Sequence, residues 1–141
     1  MKTELAGAIC IGSIALFSGC SAIPTQVKPG TPVTLQRVAL SGSPQRLGFY
    51  YMVNPDCTSA GVPKVLVDQQ PAHGSVTLSQ VQDYSAFPSN NQRYGCNRQK
   101  NPGTVVSYTP APGYTGPDQV SVTAIFRDGN PKVVSYDISV R

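Results

Sequence analysis

Apolar and polar residues alternate along most of this chain in short segments, and turn-forming residues separate one segment from the next. Residues 75–81 are a clear example, with Val76, Leu78 and Val81 near one face. Alternation of this kind indicates a β-strand with one buried face. No window of about eleven residues after Cys20 has the 3.6-residue apolar period of a helix. Seven segments have strand character: residues 33–38, 47–53, 64–68, 75–81, 104–108, 120–126 and 133–140.

The turns between these segments indicate the fold class. Residues 128–131 read Asp-Gly-Asn-Pro, a strong hairpin signal between the last two segments. Seven short strands joined by turns predict an all-β domain, an antiparallel β-sandwich. We expect this domain to span residues 32–141, after an N-terminal signal segment.

Composition supports the same prediction. The 141 residues include 13 Gly and 13 Pro, and 13% of all residues are charged. So many helix breakers argue against a helical bundle. The apolar fraction of 40% is enough to build a core and argues against a disordered chain.

The first nineteen residues have the character of a targeting segment. Lys2 gives a short basic start, and residues 5–17 form an apolar run of about 13 residues, shorter than the roughly 20 that span a membrane. Residues 16–20 then read Leu-Phe-Ser-Gly-Cys, which resembles the lipobox of bacterial lipoproteins. Phe17 departs from the family, which mostly carries Leu at that position.

The lipoprotein resemblance implies how the protein is processed and held. A signal peptide of residues 1–19 would be removed, Cys20 would carry the lipid, and residues 20–31 would form a tether to the domain. The absence of Asp at Ser21 favours the outer membrane, facing the periplasm or the cell surface. Several acyl chains together give stable anchoring. The alternative is an ordinary cleavable signal peptide that has a Cys near its end.

Two cysteines remain after the signal segment and Cys20 are set aside. Cys10 would leave with the signal, and Cys57 and Cys96 form an even pair in a chain expected in an oxidising compartment. Their spacing excludes a CxxC redox motif. A disulfide closing a loop of about 40 residues would contribute roughly 4 kcal/mol. A reactive thiol pair is the alternative.

A second resemblance covers residues 71–140. Residues 70–76 read QPAHGSV and residues 106–118 read VSYTPAPGYTGPD, which is similar to the bacterial immunoglobulin-like, cadherin-like repeat. This resemblance implies an Ig-like sandwich in a surface or envelope protein. The chain has room for one copy, and residues 84–103 form an insertion that the family pattern lacks.

The motif residues themselves have structural interpretations. Gly74, Gly113 and Gly116 would allow turns with positive φ, and Tyr114 would plug the end of the sandwich. His73, the single histidine, is expected to pack or cap a turn rather than to catalyse.

No motif for catalysis, metal binding or cofactor binding occurs. The chain beyond residue 19 contains six Asp and no Glu, and no Asp-x-Asp cluster that would indicate calcium. The sequence therefore predicts a protein that is not an enzyme and has no cofactor or metal.

The stretch from residue 84 to 102 is basic and aromatic, without any acid. Its candidate ligand-binding residues are Arg93, Tyr94, Arg98 and Lys100. Guanidinium groups pair with phosphate or carboxylate, so a lipopolysaccharide or another glycan is a candidate ligand. The alternative is a solvated loop whose aromatic side chains pack onto the sandwich.

Two functions from different classes follow. The first is a lipid-anchored, non-enzymatic Ig-like interaction or adhesion module that docks to another envelope protein, for instance by strand addition. The second is a glycan- or lipopolysaccharide-binding lipoprotein that uses residues 84–102. A net charge of +4 is modest, and we expect no nucleic-acid partner for an exported protein.

Overall fold

The computed structural model describes residues 31–141. The predicted signal peptide, the predicted lipidation site Cys20 and all of the predicted tether except Thr31 lie outside the described residues. The described strands are β1 (Val33–Ala39), β2 (Gln45–Tyr51), β3 (Lys64–Gln69), β4 (Gly74–Tyr84), β5 (Lys100–Pro110), β6 (Gly116–Ile125) and β7 (Pro131–Val140), with a 3₁₀ turn at Tyr94–Arg98. All seven predicted strands are present, which confirms the all-β prediction.

The strands form two sheets, one in the order β1-β7-β6-β3 and the other in the order β2-β5-β4. Strands β3, β6 and β7 lie in one sheet and β2, β4 and β5 in the other. The immunoglobulin fold divides its corresponding strands between two sheets in the same way. One pair differs from the others, because β1 runs parallel to β7, with Val33 opposite Val134. The turn after β1 carries the chain into the other sheet, so β1 has the last strand as its partner.

The core lies between the two sheets and follows the alternation in the sequence. Val120, Val122 and Ala124 of β6 are fully buried, and the residues between them face outward or are partly exposed. The largest fully buried side chains are Tyr108 and Tyr136, one from each sheet. Burial of this apolar surface is the main force that holds the sheets together.

The β4–β5 hairpin is longer than the sequence predicts. Eleven consecutive pairs join it, from Gly74 opposite Pro110 to Tyr84 opposite Lys100. The connecting loop is therefore shorter than residues 84–102, and Lys100 belongs to β5. The missing N–H of Pro102 would point toward β2. Pro102 is tolerated because β2 ends at Tyr51, opposite Gly103, so no hydrogen bond of the sheet is lost.

The predicted disulfide is confirmed. Cys57 and Cys96 are bonded, with their Cα atoms 5.0 Å apart. Cys57 lies in the β2–β3 connection and Cys96 in the 3₁₀ turn, so the bond fastens the β4–β5 loop to the β2–β3 connection. Within residues 31–141, no helix is long and apolar enough to cross a membrane.

Candidate functional site

The corner at residues 71–74 is built around one carboxylate. Asp118 accepts hydrogen bonds from the backbone N–H groups of Ala72 (2.9 Å) and His73 (3.0 Å), from its neighbour Gln119 (2.9 Å), and from the Tyr108 hydroxyl (2.8 Å). Burial alone would raise the pKa of Asp118, but these hydrogen bonds hold it below its usual range. This carboxylate therefore serves the structure of the corner.

His73 has the packing role that the sequence predicts. Its ring stacks on Tyr114, with centroids 4.0 Å apart and an angle of 12° between the planes. The Tyr114 hydroxyl donates to the Pro117 carbonyl at 2.6 Å. Gly113 and Gly116 do have positive φ (79° and 131°), but Gly74 does not. Gly74 is required instead by close approach, because a Cβ there would lie 2.5 Å from the Thr109 carbonyl oxygen.

The four predicted ligand residues have different surroundings, and their role as a ligand site stays a prediction. The Arg93 Nε donates to the Val53 carbonyl at 2.7 Å, which ties the loop to the end of β2. Tyr94 is about half exposed (51%), and Arg98 is exposed on the same 3₁₀ turn. The Lys100 ammonium lies 5.6 Å from the centre of the Tyr84 ring, on the hairpin.

The loop that carries these residues is fixed by Asn97. Its Oδ1 accepts from the Ser85 hydroxyl (3.0 Å) and the Phe87 N–H (2.9 Å), while its Nδ2 donates to the Phe87 carbonyl (2.9 Å). Phe87 in turn packs edge-on against Tyr51, with centroids 5.3 Å apart. Part of the loop therefore packs onto the sandwich, as the alternative prediction states, while Tyr84 and Tyr94 remain exposed.

Arg93 also lines a small cleft of about 250 Å³ at this end of the sandwich. A second guanidinium group, that of Arg127 in the β6–β7 turn, lines the same cleft. Its aromatic walls come from Tyr51, Phe87 and Phe126. Arg127 was not predicted, since the only sequence signal is a Phe-Arg pair before the Asp-Gly turn, and nothing in the spacing relates it to Arg93.

Strand β4 is the most exposed strand of the sandwich. Among residues 31–141 its one sheet partner is β5, and nine of its eleven residues are exposed. It contains no Lys or Pro, its one charged residue is Asp83, and its eleven pairs with β5 show no bulge. By contrast, β2 and β3 each have a register shift, and β1 carries Arg37. Charges, prolines and bulges are the usual means of preventing edge pairing. With eleven residues, no bulge and a single charge, β4 is the longest edge strand among the described residues and has little of this protection.

The hydrogen-bond pattern determines which residues of β4 face this free edge. Gln82 is opposite Pro102, which has no N–H and so cannot form a doubly hydrogen-bonded pair. The Ala111 N–H donates to the His73 carbonyl at 2.9 Å, so these two residues form a hydrogen-bonded pair. Because the two kinds of pair alternate along an antiparallel ladder, the odd-numbered residues of β4 are the ones hydrogen-bonded to β5. The even-numbered residues in 76–82 therefore direct their N–H and C=O groups away from β5.

Comparison with known proteins does not assign a family. No protein-family model matches the chain, and no curated protein matches it. The solution structure of Amebosin is similar, with a TM-score of 0.44 and 14% identity, over 79% of this chain and 100% of that chain. Within residues 31–141, no group of three or more His, Cys, Asp or Glu side chains is placed to hold a metal ion.

Proposed function

We propose that this protein is a non-enzymatic interaction module of the bacterial cell envelope, held at the membrane by lipid on Cys20. Its binding element is the free edge of β4, which takes up an extended segment of another envelope protein. The observation that supports this proposal is an eleven-residue edge strand that pairs with β5 without a bulge and carries a single charged residue, Asp83.

Strand addition at β4 would use both its backbone and its side chains. The outward N–H and C=O groups of the even-numbered residues in 76–82 supply main-chain hydrogen bonds, which give affinity in this binding mode. Leu78 is 41% exposed and Val81 is 36% exposed. Because β4 pairs with β5 without a bulge, Leu78 and Val81 lie on opposite faces of the strand and not, as the sequence pattern predicts, near one face. An added strand would therefore cover apolar surface on both faces.

Site-specific photo-crosslinking in the producing cells tests this proposal. A photoreactive side chain replaces Thr77 on β4 or, as a matched control, the exposed Thr34 on edge strand β1. We expect a discrete adduct with one envelope protein from position 77 and none from position 34. Gln80→Pro, which removes an outward N–H but no β5 hydrogen bond, should abolish the adduct in a folded protein.

Three results would contradict the proposal. The first is the same adduct from both positions, and the second is an adduct that persists in Gln80→Pro. The third is an adduct of twice the mass of the chain, which would identify a second copy as the occupant. Mass spectrometry of the native protein tests the anchor separately, since an N-terminus other than a lipid-modified Cys20 excludes it.

A second candidate function rests on the cleft between Arg93 and Arg127. Two guanidinium groups and three aromatic rings line it, and no carboxylate does. Such a cleft suits a phosphate-bearing glycan such as lipopolysaccharide. Arg127→Ala should weaken binding to purified lipopolysaccharide and reduce its salt dependence, whereas Arg98→Ala, on the 3₁₀ turn, should not. Equal effects of the two variants would contradict a site at this cleft.

A further inference from the structure

A different cleft, of about 590 Å³, lies on the outer face of the four-stranded sheet beside the Asp118 corner. Its volume is within the range of about 300–1,000 Å³ that is usual for small-ligand sites. The residues that line it come from β1, β3, β6 and β7 and from the β3–β4 connection. Neither the β4 edge nor the Arg93–Arg127 cleft shares a residue with it.

A row of four polar side chains crosses the sheet inside this cleft, one from each strand. Gln69 donates to Gln119 (3.2 Å), Gln119 donates to one oxygen of Asp137 (2.8 Å), and Gln36 donates to the other oxygen (2.9 Å). We call these four residues the glutamine row. At the usual strand spacing, a row across four strands is about 14 Å long.

The hydrogen bonds of the glutamine row fix its side chains but do not use all their groups. Each of Gln36, Gln69 and Gln119 gives one amide hydrogen to the row and keeps another, and each has an oxygen with acceptor capacity. All three are exposed. The cleft therefore presents donors and acceptors side by side in an orientation that is set before any ligand binds, which lowers the entropy cost of binding.

The charges around the cleft restrict the chemistry of the ligand. No Lys or Arg lines it, and its carboxylates belong to Asp118 and Asp137. Both oxygens of Asp118 already accept hydrogen bonds from the corner. An anion would be repelled, whereas hydroxyl groups, which donate and accept at once, match an alternating row of amide groups.

We infer that the glutamine row and its cleft form a binding site for a neutral, polyhydroxylated glycan. This site is additional to the proposed protein contact at β4 and does not depend on it. Cross-strand hydrogen bonds between side chains also stabilise a sheet, so the experiment must separate ligand binding from stability.

Titration of the full domain with neutral oligosaccharides, followed by NMR of the glutamine side-chain amides, tests this inference. The probes are maltohexaose, chitohexaose and laminarihexaose, and a hexamer of galacturonic acid is the charged counterpart. We expect at least one neutral probe to cause saturable shifts of the amide signals of Gln36, Gln69 and Gln119. The acidic hexamer should bind more weakly than that probe.

Substitutions in the row then locate the site. Gln119→Ala should weaken binding about fivefold or more, which corresponds to the loss of one hydrogen bond. Gln36→Ala, on the edge strand β1, should have a similar effect with less risk to the fold. Gln80→Ala, an exposed glutamine on the other sheet, is the matched control and should leave binding unchanged.

The inference is overturned if no neutral probe causes saturable shifts. It is also overturned if the acidic hexamer binds as tightly as the best neutral probe, or if Gln80→Ala weakens binding as much as Gln119→Ala. Melting temperatures measured on the same samples show whether each variant remains folded. Because β4 lies in the other sheet, failure here leaves the crosslinking result at Thr77 unaffected, and the reverse also holds.

Discussion

The hydroxyl oxygens of Tyr50 and Tyr136 lie 2.6 Å apart in the core and join the two sheets by a hydrogen bond. Tyr50 belongs to β2 and Tyr136 to β7, and both side chains are buried. Gly48 makes room for this contact, since a Cβ at that position would collide with the Tyr136 hydroxyl. The guanidinium carbon of Arg37 lies 5.6 Å from the centre of the Tyr136 ring.

Removing one of these two hydroxyl groups should lower the free energy of unfolding as much as, or more than, removing both. In Tyr50→Phe, the Tyr136 hydroxyl stays buried without its partner, which costs about 1–3 kcal/mol. Tyr50→Phe combined with Tyr136→Phe removes both groups and should be no less stable than the single variant. Urea denaturation of the two single variants and the double variant measures this coupling, and strictly additive losses would contradict it.

The same pair makes the protein sensitive to alkali. Burial, followed by the hydrogen bond to Tyr136, raises the pKa of Tyr50, and burial raises that of Tyr136. In the unfolded chain both hydroxyl groups ionise near pH 10, so above that pH the unfolded state binds fewer protons and the unfolding free energy falls. The contribution of each tyrosine to this fall is at most about 1.4 kcal/mol per pH unit. Between about pH 10 and pH 11 the unfolding free energy of the double Phe variant should fall less steeply than that of the wild type. Urea denaturation of both proteins across this pH range measures the difference.

Asp118 is expected to be the carboxylate whose loss most affects stability. Asp118→Ala leaves three backbone N–H groups without this acceptor and leaves the Tyr108 hydroxyl only its longer hydrogen bond, 3.3 Å to the His73 carbonyl, at a cost of about 3 kcal/mol. Asp68→Ala, which removes an exposed acceptor of the Thr123 hydroxyl, should cost well under about 1 kcal/mol. Chemical denaturation at neutral pH compares the two variants, and equal losses would exclude this role.

The lowered pKa of Asp118 also predicts an acid response. A carboxylate with a lowered pKa stabilises the folded state above the unfolded pKa of about 4, and this stabilisation is lost as the pH falls through the folded pKa. Asp118→Asn should therefore be less stable than the wild type at neutral pH. The difference between the two proteins should shrink below about pH 4, as measured by urea denaturation across that range.

Cys57 has a backbone φ of 68°, a left-handed conformation that favours glycine. Cys57→Ser removes the disulfide, which should lower the free energy of unfolding by about 4 kcal/mol in the loop-entropy treatment. Serine at this position still has the unfavourable positive φ. Cys57→Gly loses the same bond but should be about 1 kcal/mol more stable than Cys57→Ser. At Cys96, where φ is not positive, Gly should be no better than Ser. Denaturant unfolding of the four variants gives the order, and the same order at both positions would contradict this account.

Two glycines of the repeat-like motifs should respond differently to Ala. At Gly113 a Cβ meets nothing within 4 Å, so the cost is the positive φ alone, about 1 kcal/mol. At Gly74 a Cβ would press on the Thr109 carbonyl and on the Tyr108 ring at 2.6 Å. Gly74→Ala should therefore be the more destabilising, by about 1–3 kcal/mol. Melting curves of both variants test this order, and a milder effect at Gly74 would contradict it.

The fold is predictable from the sequence because its determinants are local. Alternation defines the seven strands, and Asp128 and Gly129 mark the last hairpin. The disulfide follows from counting the cysteines that remain once residues 1–20 are set aside as a predicted signal segment and lipidation site. The parallel pairing of β1 with β7 is not predictable in this way, since it depends on where the turn after β1 directs the chain.

The candidate sites are harder to predict because they join residues that are far apart in the chain. The sequence groups Arg93 with Arg98 and Lys100 on one stretch of chain, and in the structure Arg93 lines a cleft together with Arg127, 34 positions away. In the glutamine row, Gln36 and Asp137 are 101 positions apart. A glutamine on the outer face of a strand has no local signal that distinguishes it from any other solvated side chain. Only the register of the sheet brings these residues together.

The position of β7 between β1 and β6 affects the order in which the domain can fold. Strand β1 has no sheet partner among the described residues other than β7, and Arg141 still exchanges backbone hydrogen bonds with Ala39 and Ser41. Strand β1 therefore cannot form its sheet hydrogen bonds until β7 is in place beside it. Closing so long a loop is slow, and during that time β1 and β6 expose edges that only the end of the domain can cover.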